Sequence, residues 1–271
     1  MAGSRWGDLR TRVISAAVLG PMVLGCIALG GTPFAVMVLG AAIGMAWEWV
    51  ALCGALAPGL AGLSMIVAVA AAVGCAMSGQ AGAGLACLAA GTVATGLVSR
   101  DLPHGRTLAA GVPYIGLGVV ALLWVRADDQ AGLINLLFLL LLVWCSDIGA
   151  YLTGRFVGGP RLAPSISPGK TWSGAIGGLL GAMIAALAVA RAGSAAIEPG
   201  RVCVIAAGLG VMAQSGDLLE SLIKRHFGVK DSSQIIPGHG GLLDRLDALL
   251  FAAPIAAMLA LMAGRGVKIW Q

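Results

Sequence analysis

Apolar runs of similar length, almost free of charge, follow one another from residue 13 to residue 264. A bilayer core about 30 Å thick asks for about 20 such residues per helix, within a range of roughly 17 to 25. Nine candidate spans run approximately 13–30, 34–53, 59–77, 83–98, 108–125, 131–151, 174–190, 201–220 and 248–264, the fourth and seventh of them short. Gly30-Gly31-Thr32-Pro33, Ala57-Pro58-Gly59, Ser78-Gly79 and Glu198-Pro199-Gly200 punctuate them as turns. A soluble domain carries about 25% charged residues. Here only 11% are charged and 59% are hydrophobic, too little polar surface to cover a particle in water. The expected fold is all-α, a polytopic integral membrane protein with about nine transmembrane helices.

The net charge of +5 would point to nucleic acid in a soluble chain. In a membrane chain it reads instead as basic residues gathered in cytoplasmic loops, and no nucleic-acid partner is expected. With the N-terminus inside, twelve of the 17 basic residues fall on the cytoplasmic side: Arg5, Arg10, Arg12, Arg100, Arg106, Arg155, Arg161, Lys170, Lys224, Arg225, Lys230 and Arg245. Arg126, Arg191, Arg201, Arg265 and Lys268 fall outside. The bias predicts an N-in, C-out chain. The first apolar run is followed directly by further spans, so it reads as a transmembrane helix and not as a cleaved leader. The six cysteines lie almost entirely in apolar runs without a C-x-x-C pair, and read as small apolar side chains.

Two cytoplasmic segments, 152–173 and 221–247, are too long to be simple turns. Five of the twelve acids (Asp217, Glu220, Asp231, Asp244, Asp247) lie between residues 217 and 247. Glu48 and Asp147 lie inside apolar spans, where an ionisable group is costly and by default a candidate for function. Asp217 and Glu220 are three apart and share a helix face, with Lys224 a turn further on. Asp244 and Asp247 repeat that spacing. Two acidic faces of this kind suit a divalent cation such as Mg²⁺, which keeps waters and shares its shell with phosphates. Alternatively, they are solvated and paired with Lys224, Arg225 and Arg245.

Between the acid pairs, Lys230-Asp231-Ser232-Ser233-Gln234-Ile235-Ile236-Pro237-Gly238-His239-Gly240-Gly241 forms a tight polar return. Its backbone N–H groups are candidates for holding a phosphate. His239 reads either as a structural residue or as a phosphate contact. In the other loop, Ser165-Ile166-Ser167-Pro168-Gly169-Lys170-Thr171-Trp172 contains Gly-Lys-Thr. A P-loop needs an earlier glycine where Pro164 stands, and a preceding strand of a βαβ unit, so that reading fails. Lys170 remains a candidate phosphate contact. Asp147 and Tyr151, four apart at the end of the sixth span, share a helix face.

The run Ser221–Asp247, SLIKRHFGVKDSSQIIPGHGGLLDRLD, resembles the signature of the phosphatidate cytidylyltransferase family, S-x-x-K-R-x4-K-D-x-S-x2-I-P-x-H-G-G-x-x-D-R-x-D, at every defined position. Gly216-Asp217-Leu218-Leu219-Glu220, the DIGAY segment at 147–151 and the SPGKTW segment at 167–172 are also similar to that family's. The resemblance is dense over about 144–251, and residues 1–110 share only the hydropathy. One departure is that the family commonly has SP-K-K-T-x-E-G at the SPGKTW segment, where this chain has Gly169 and Ser173 in place of the first Lys and the Glu. That removes any expected charge at 169 and 173 but leaves Lys170 in place.

The resemblance implies an enzyme that transfers CMP from CTP to phosphatidate, releasing pyrophosphate and forming CDP-diacylglycerol. It implies Mg²⁺ held by Asp217 and Asp244, with Asp247 in support, and a homodimer. The matching stretches supply the remaining expected site residues. Lys224, Arg225, Lys230, Asp231, His239 and Arg245 would serve the reaction, and Asp147, Ser167, Lys170, Thr171, Gly240 and Gly241 would bind substrate. The organisation expected is a membrane region at 1–110 followed by a catalytic region at 111–271. The site and N-terminus would face the cytoplasm of a bacterial cell (inner) membrane. A CTP-dependent polyprenol kinase would share nucleotide and metal but gives no reason for the 27-residue match. A CDP-alcohol phosphotransferase needs a D-x2-D-G-x2-A-R string that is absent. A transporter would use Glu48 and Asp147 for ion coupling but has no need of a dense polar loop.

Overall fold

A computed structural model describes residues 17–55, 59–194, 196–235 and 240–271. The expectations that fall on Arg5, Arg10, Arg12, Ala57, Pro58, Pro237, Gly238 and His239, and on residues 13–16 of the first span, lie outside the described residues. Among the described residues the chain is an all-α polytopic membrane protein with one small hairpin. Its helices are α1 (Ala17–Leu29), α2 (Gly31–Leu52), α3 (Leu60–Met77), α4 (Ala81–Val98), α5 (Gly105–Arg126), α6 (Gly132–Phe156), α7 (Trp172–Gly193), α8 (Pro199–His226) and α9 (Leu243–Ala263). Eight of them, α2 to α9, are long and apolar enough to cross a membrane, and α1 is shorter. All six cysteines are free thiols.

The helix middles match the hydropathy reading, but several ends run further into polar sequence. At 1.5 Å per residue the 28 residues of α8 reach about 42 Å, well beyond an apolar core of about 30 Å. Its last turns, which carry Asp217 to His226, therefore extend past the length that lipid can cover. The sixth helix likewise continues to Phe156, carrying Tyr151 and Arg155 with it. It stops where Gly158 and Gly159 adopt positive φ (66° and 104°), a backbone state that Cβ-bearing residues rarely take. The 152–173 segment is accordingly a helix end plus a hairpin. Strand β1 (Arg161–Ala163) pairs antiparallel with β2 (Ser167–Thr171), with Arg161 opposite Thr171 and Ala163 opposite Ser167.

The chain divides into two compact units. One takes the residues up to Leu123 together with Phe227–Leu246; the other takes Trp124–His226 and Asp247–Gln271. Within the first, Met45, Trp49, Met65, Val69, Val73, Val112 and Ile115 are buried, and the Trp49 indole donates to the Thr107 carbonyl at 3.0 Å. Large apolar side chains such as Leu60, Leu63 and Val67 on α3 point outward, as a lipid solvent permits.

Within the second unit α6 lies closely along α7. Lipid tails are as apolar as leucine, so helix association in a bilayer depends on close packing and polar contacts. Glycine supplies the closeness. A Cβ at Gly149 would stand 2.5 Å from the Gly177 carbonyl oxygen, and one at Gly181 would stand 2.4 Å from that of Cys145. The small residues at 177 and 181 therefore serve this contact within the chain. The C-terminal tail docks on the same unit. Trp270 stacks on Phe138 with centroids 4.8 Å apart, Asn135 bonds Val267 and Ile269, and the Lys268 ammonium donates to Gly193 and Ser194.

Candidate active site

The site grows from the polar ends of α6 and α8 and from the hairpin between α6 and α7, all within the second unit. Pro160, Pro164 and Pro168 keep residues 160–168 out of a helix, and the short strands turn the chain back toward α7. Thr171 ends β2 and caps α7, its hydroxyl accepting from the Gly174 N–H at 3.0 Å. The Arg225 side chain at the end of α8 donates to the Ile166 carbonyl at 3.3 Å, tying that helix to the hairpin turn.

These elements enclose a cavity of about 600 Å³. From α6 come Asp147, Tyr151 and Arg155, a repeat of four that places them on one helix face. The hairpin region contributes Arg161, Ser167, Lys170 and Thr171, and α8 contributes Gln214 and Asp217. Gln214 closes the floor by donating to the Ala175 carbonyl at 3.1 Å and approaching the Ser146 hydroxyl at 3.5 Å, which joins α6, α7 and α8. Across the cavity wall Lys170 Nζ stands 2.6 Å from Asp217 Oδ2. Three cations and two carboxylates thus face one half-open space. Cations arranged this way take anionic ligands such as phosphates, and carboxylate oxygens suit a hard cation.

One turn below, α8 crosses α9 so closely that a Cβ at Gly216 would lie 2.7 Å from the Asp247 carbonyl oxygen. Asp247 is buried there, accepting from the Ala248 N–H at 2.7 Å and standing in the field of Asp217 and Lys224. Glu220 is also buried and pairs with Lys224 at 2.7 Å. Lys224 thus compensates a buried carboxylate, whereas Lys170 sits at a cavity. The pairing of Lys224 with an acid one turn away is the alternative that its spacing offers in the sequence.

A separate polar cluster belongs to the first unit. Asp244, in the first turn of α9, accepts on Oδ2 from the Ser232 N–H (3.0 Å), the Ser232 hydroxyl (3.1 Å) and the Gly241 N–H (2.9 Å). Gly240 holds φ at 86°, and a Cβ at Gly241 would collide with the Ser232 hydroxyl at 1.9 Å, so the return needs glycine at both places. Lys230, Asp231 and Arg245 are exposed. The structure therefore gathers Asp147, Ser167, Lys170, Thr171 and Asp217 around one cavity. Asp244, Gly240 and Gly241 stand together in the polar return. Arg155, Arg161 and Gln214 are cavity residues that sequence reasoning did not single out. For Arg155 the signal was present, one more step of four beyond Asp147 and Tyr151.

Comparison with known proteins decides the family. The model described as "Cytidylyltransferase family" matches residues 10–263. The chain belongs to the cytidylyltransferase family. The phosphatidate cytidylyltransferase of Brucella suis biovar 1 is 38% identical over 257 residues, covering 92% of each chain. That of Staphylococcus saprophyticus is 43% identical over 148 residues, covering 55% of this chain and 56% of its own. That of Haemophilus influenzae is 44% identical over 131 residues, covering 47% and 46%. The family match covers all the described cavity residues and the polar return, so both clusters lie inside the shared sequence.

Proposed function

We propose that this chain transfers CMP from CTP to phosphatidate, releasing pyrophosphate and forming CDP-diacylglycerol. The observation that carries the reading is the cavity at the polar ends of two membrane helices, where Arg155, Arg161 and Lys170 face Asp147 and Asp217. Similarity to a phosphatidate cytidylyltransferase over nearly the whole length supports it. The nucleophile would be the phosphate monoester of phosphatidate. With a second pKa of about 6, that group is largely deprotonated at neutral pH, so no strong general base is required. Its oxygen attacks the α-phosphorus of CTP, the bond to the β-phosphate oxygen breaks, and pyrophosphate leaves with the electron pair. Both substrates are anions. The protein's task is to neutralise them and hold them in line, which is work for Lys170 and the two arginines. A site at a helix end lets the diacyl chains stay in the bilayer.

Mg²⁺ belongs to the same proposal, and the residues fit it. Among the described residues no group of three or more acidic, His or Cys side chains gathers into a protein-only cage. Mg²⁺ is commonly held by one or two carboxylates with substrate phosphates completing its shell. Asp217 opens on the cavity beside Lys170 and would be a ligand, with Asp147 lining the same cavity and Asp247 buried in the field of Asp217. Asp244 lies in the other unit, and its place among the ligands rests on the sequence resemblance. When bound, the ion would polarise the α-phosphate and offset charge on the pyrophosphate.

The basic-residue bias supports a cytoplasmic site and N-terminus in a bacterial inner membrane. The homodimer rests on the resemblance, and the mass of the purified particle in detergent tests it. Radiolabelled CTP supplied to membrane vesicles tests activity and orientation together. Label should enter chloroform-extractable lipid in inverted vesicles and not in sealed right-side-out ones. No labelled lipid in either would overturn the activity, and labelling only in right-side-out vesicles would reverse the orientation.

A further inference from the structure

Of Glu48 and Asp147, the two acids set inside apolar runs of the sequence, Asp147 lines the cavity and Glu48 does not. It lies in the last turn of α2, and only 1% of its surface is exposed. Its carboxylate meets four donors from residues more than 180 positions away. Oε1 accepts from the Ser233 hydroxyl and the Leu242 N–H (2.8 Å), and Oε2 from the Leu243 N–H (2.8 Å) and the Ser232 hydroxyl (3.3 Å). The first N–H groups of a helix have no partner within it and carry partial positive charge. Glu48 supplies that partner from another helix at the start of α9. One turn earlier on the same face, Gly44 leaves room for the Leu242 side chain, whose Cδ2 would lie 3.2 Å from a Cβ there. The space beside the carboxylate is also taken up, since a Cβ at Gly241 would come within 3.0 Å of Oε1.

The Ser232 hydroxyl also joins two acids, lying 3.3 Å from Glu48 Oε2 and 3.1 Å from Asp244 Oδ2. A hydroxyl has one proton to donate, so it serves one carboxylate at a time and ties their positions together. We propose that Glu48 is a positioning residue for the transfer reaction: it pins Ser232, Ser233 and the first turn of α9, and through Ser232 sets the orientation of the Asp244 carboxylate. This inference rests on the cytidylyltransfer reading for what Asp244 serves. The geometry that Glu48 imposes does not depend on that reading.

Glu48→Gln is close in shape but offers one acceptor oxygen where the carboxylate offers two, and it turns an NH₂ toward an N–H. The full chain, purified and reconstituted with phosphatidate, CTP and Mg²⁺, is expected to lose about tenfold or more in kcat and in kcat/KM alike, with KM little changed. Ser232→Ala deletes only the shared hydroxyl and should fall in the same direction by a smaller factor. The double variant should be no worse than Glu48→Gln alone, because both act through one link. Hydrogen exchange gives a readout independent of turnover: the Leu242 and Leu243 amides should be protected in the unaltered chain and exchange faster in Glu48→Gln. A folded Glu48→Gln with unaltered kcat and a lowered melting temperature would reduce Glu48 to a structural role and overturn the proposal. So would multiplying losses in the double variant, or unchanged amide exchange. If Glu48→Gln does not fold, Ser232→Ala decides, and full activity in it overturns the link to Asp244. An unaltered chain that makes no labelled lipid would sink the functional reading instead, while the exchange experiment would still test the geometry.

Discussion

Glu48 and Asp217 are both acids toward the end of a membrane helix, yet their surroundings put them to different uses. Glu48 is sealed from solvent and bonded to uncharged donors, two hydroxyls and two backbone N–H groups. Asp217 keeps 37% of its side-chain surface open and meets a lysine at the wall of a cavity. A buried carboxylate with its lone pairs taken up has no reason to leave its partners, and removing them costs a full desolvation penalty. A half-open carboxylate beside a lysine at a cavity wall can exchange that partner for a phosphate-bound cation, while the lysine takes the phosphate. Neither behaviour follows from residue type alone; burial and donor identity separate the acid bonded into the scaffold from the acid that opens on a cavity.

The sharpest way to break the comparison is to neutralise the open acid. Asp217→Asn keeps the shape and removes the charge that Lys170 and a metal would both require. Its kcat should fall roughly 10²-fold or more, which corresponds to about 2.7 kcal/mol of lost transition-state stabilisation. Folding yield and melting temperature should hardly change. Near-normal turnover at low Mg²⁺ would remove Asp217 from the ligand role.

The two lysines give the next contrast. Lys170→Met should lower activity by about tenfold with folding intact, and adding Asp217→Asn should cost much less than the product of the two losses, because the partners touch. Lys224→Met takes the cation from beside the buried Glu220, and breaking a buried pair typically costs roughly 3 kcal/mol or more. Its main effect should be on melting temperature and yield. Equal activity losses and equal stability in the two variants would erase the distinction drawn from burial.

That distinction was only partly legible in the sequence. Hydropathy locates the apolar middle of each helix because lipid contact demands it, and eight of the spans are recovered with small shifts. It does not report where a helix continues into water, so α6 and α8 outrun their expected ends by several residues, and Lys224 and Arg225 prove to be helical. The hairpin was invisible for a different reason. Strands of three and five residues containing Pro168 and Gly169 show no alternation to detect. The polar return could be recognised from its own residues, since its glycines and acids are close in sequence. Glu48 stood out as a buried charge, but its partners lie 184 to 195 positions away, and nothing local names them.

Asp128 extends the comparison to a holding acid outside the membrane, with the smallest expected effect. It sits between α5 and α6, where Oδ1 accepts from the Gln130 and Ala131 N–H groups and Oδ2 from that of Gly266 at 2.6 Å. Bonds from Ala131 and then Gly266 hold its carboxyl below the ordinary value of 3.8, with Gln130 and the charge of Arg265 assisting against a modest burial penalty. A carboxyl depressed in the folded state contributes stability that is present above its unfolded pKa and lost as pH falls through its folded one. The melting temperature of the unaltered chain should therefore exceed that of Asp128→Asn at neutral pH, and the gap should close only on the acid side, below the ordinary carboxylate value. Turnover at neutral pH should be the same in both, since Asp128 holds a loop to the C-terminal tail and faces no cavity residue. A gap that stays constant down to strongly acidic pH would mean that the charge of Asp128 does not act through these N–H groups. A loss of kcat would mean that this acid, like Glu48, holds something the reaction needs.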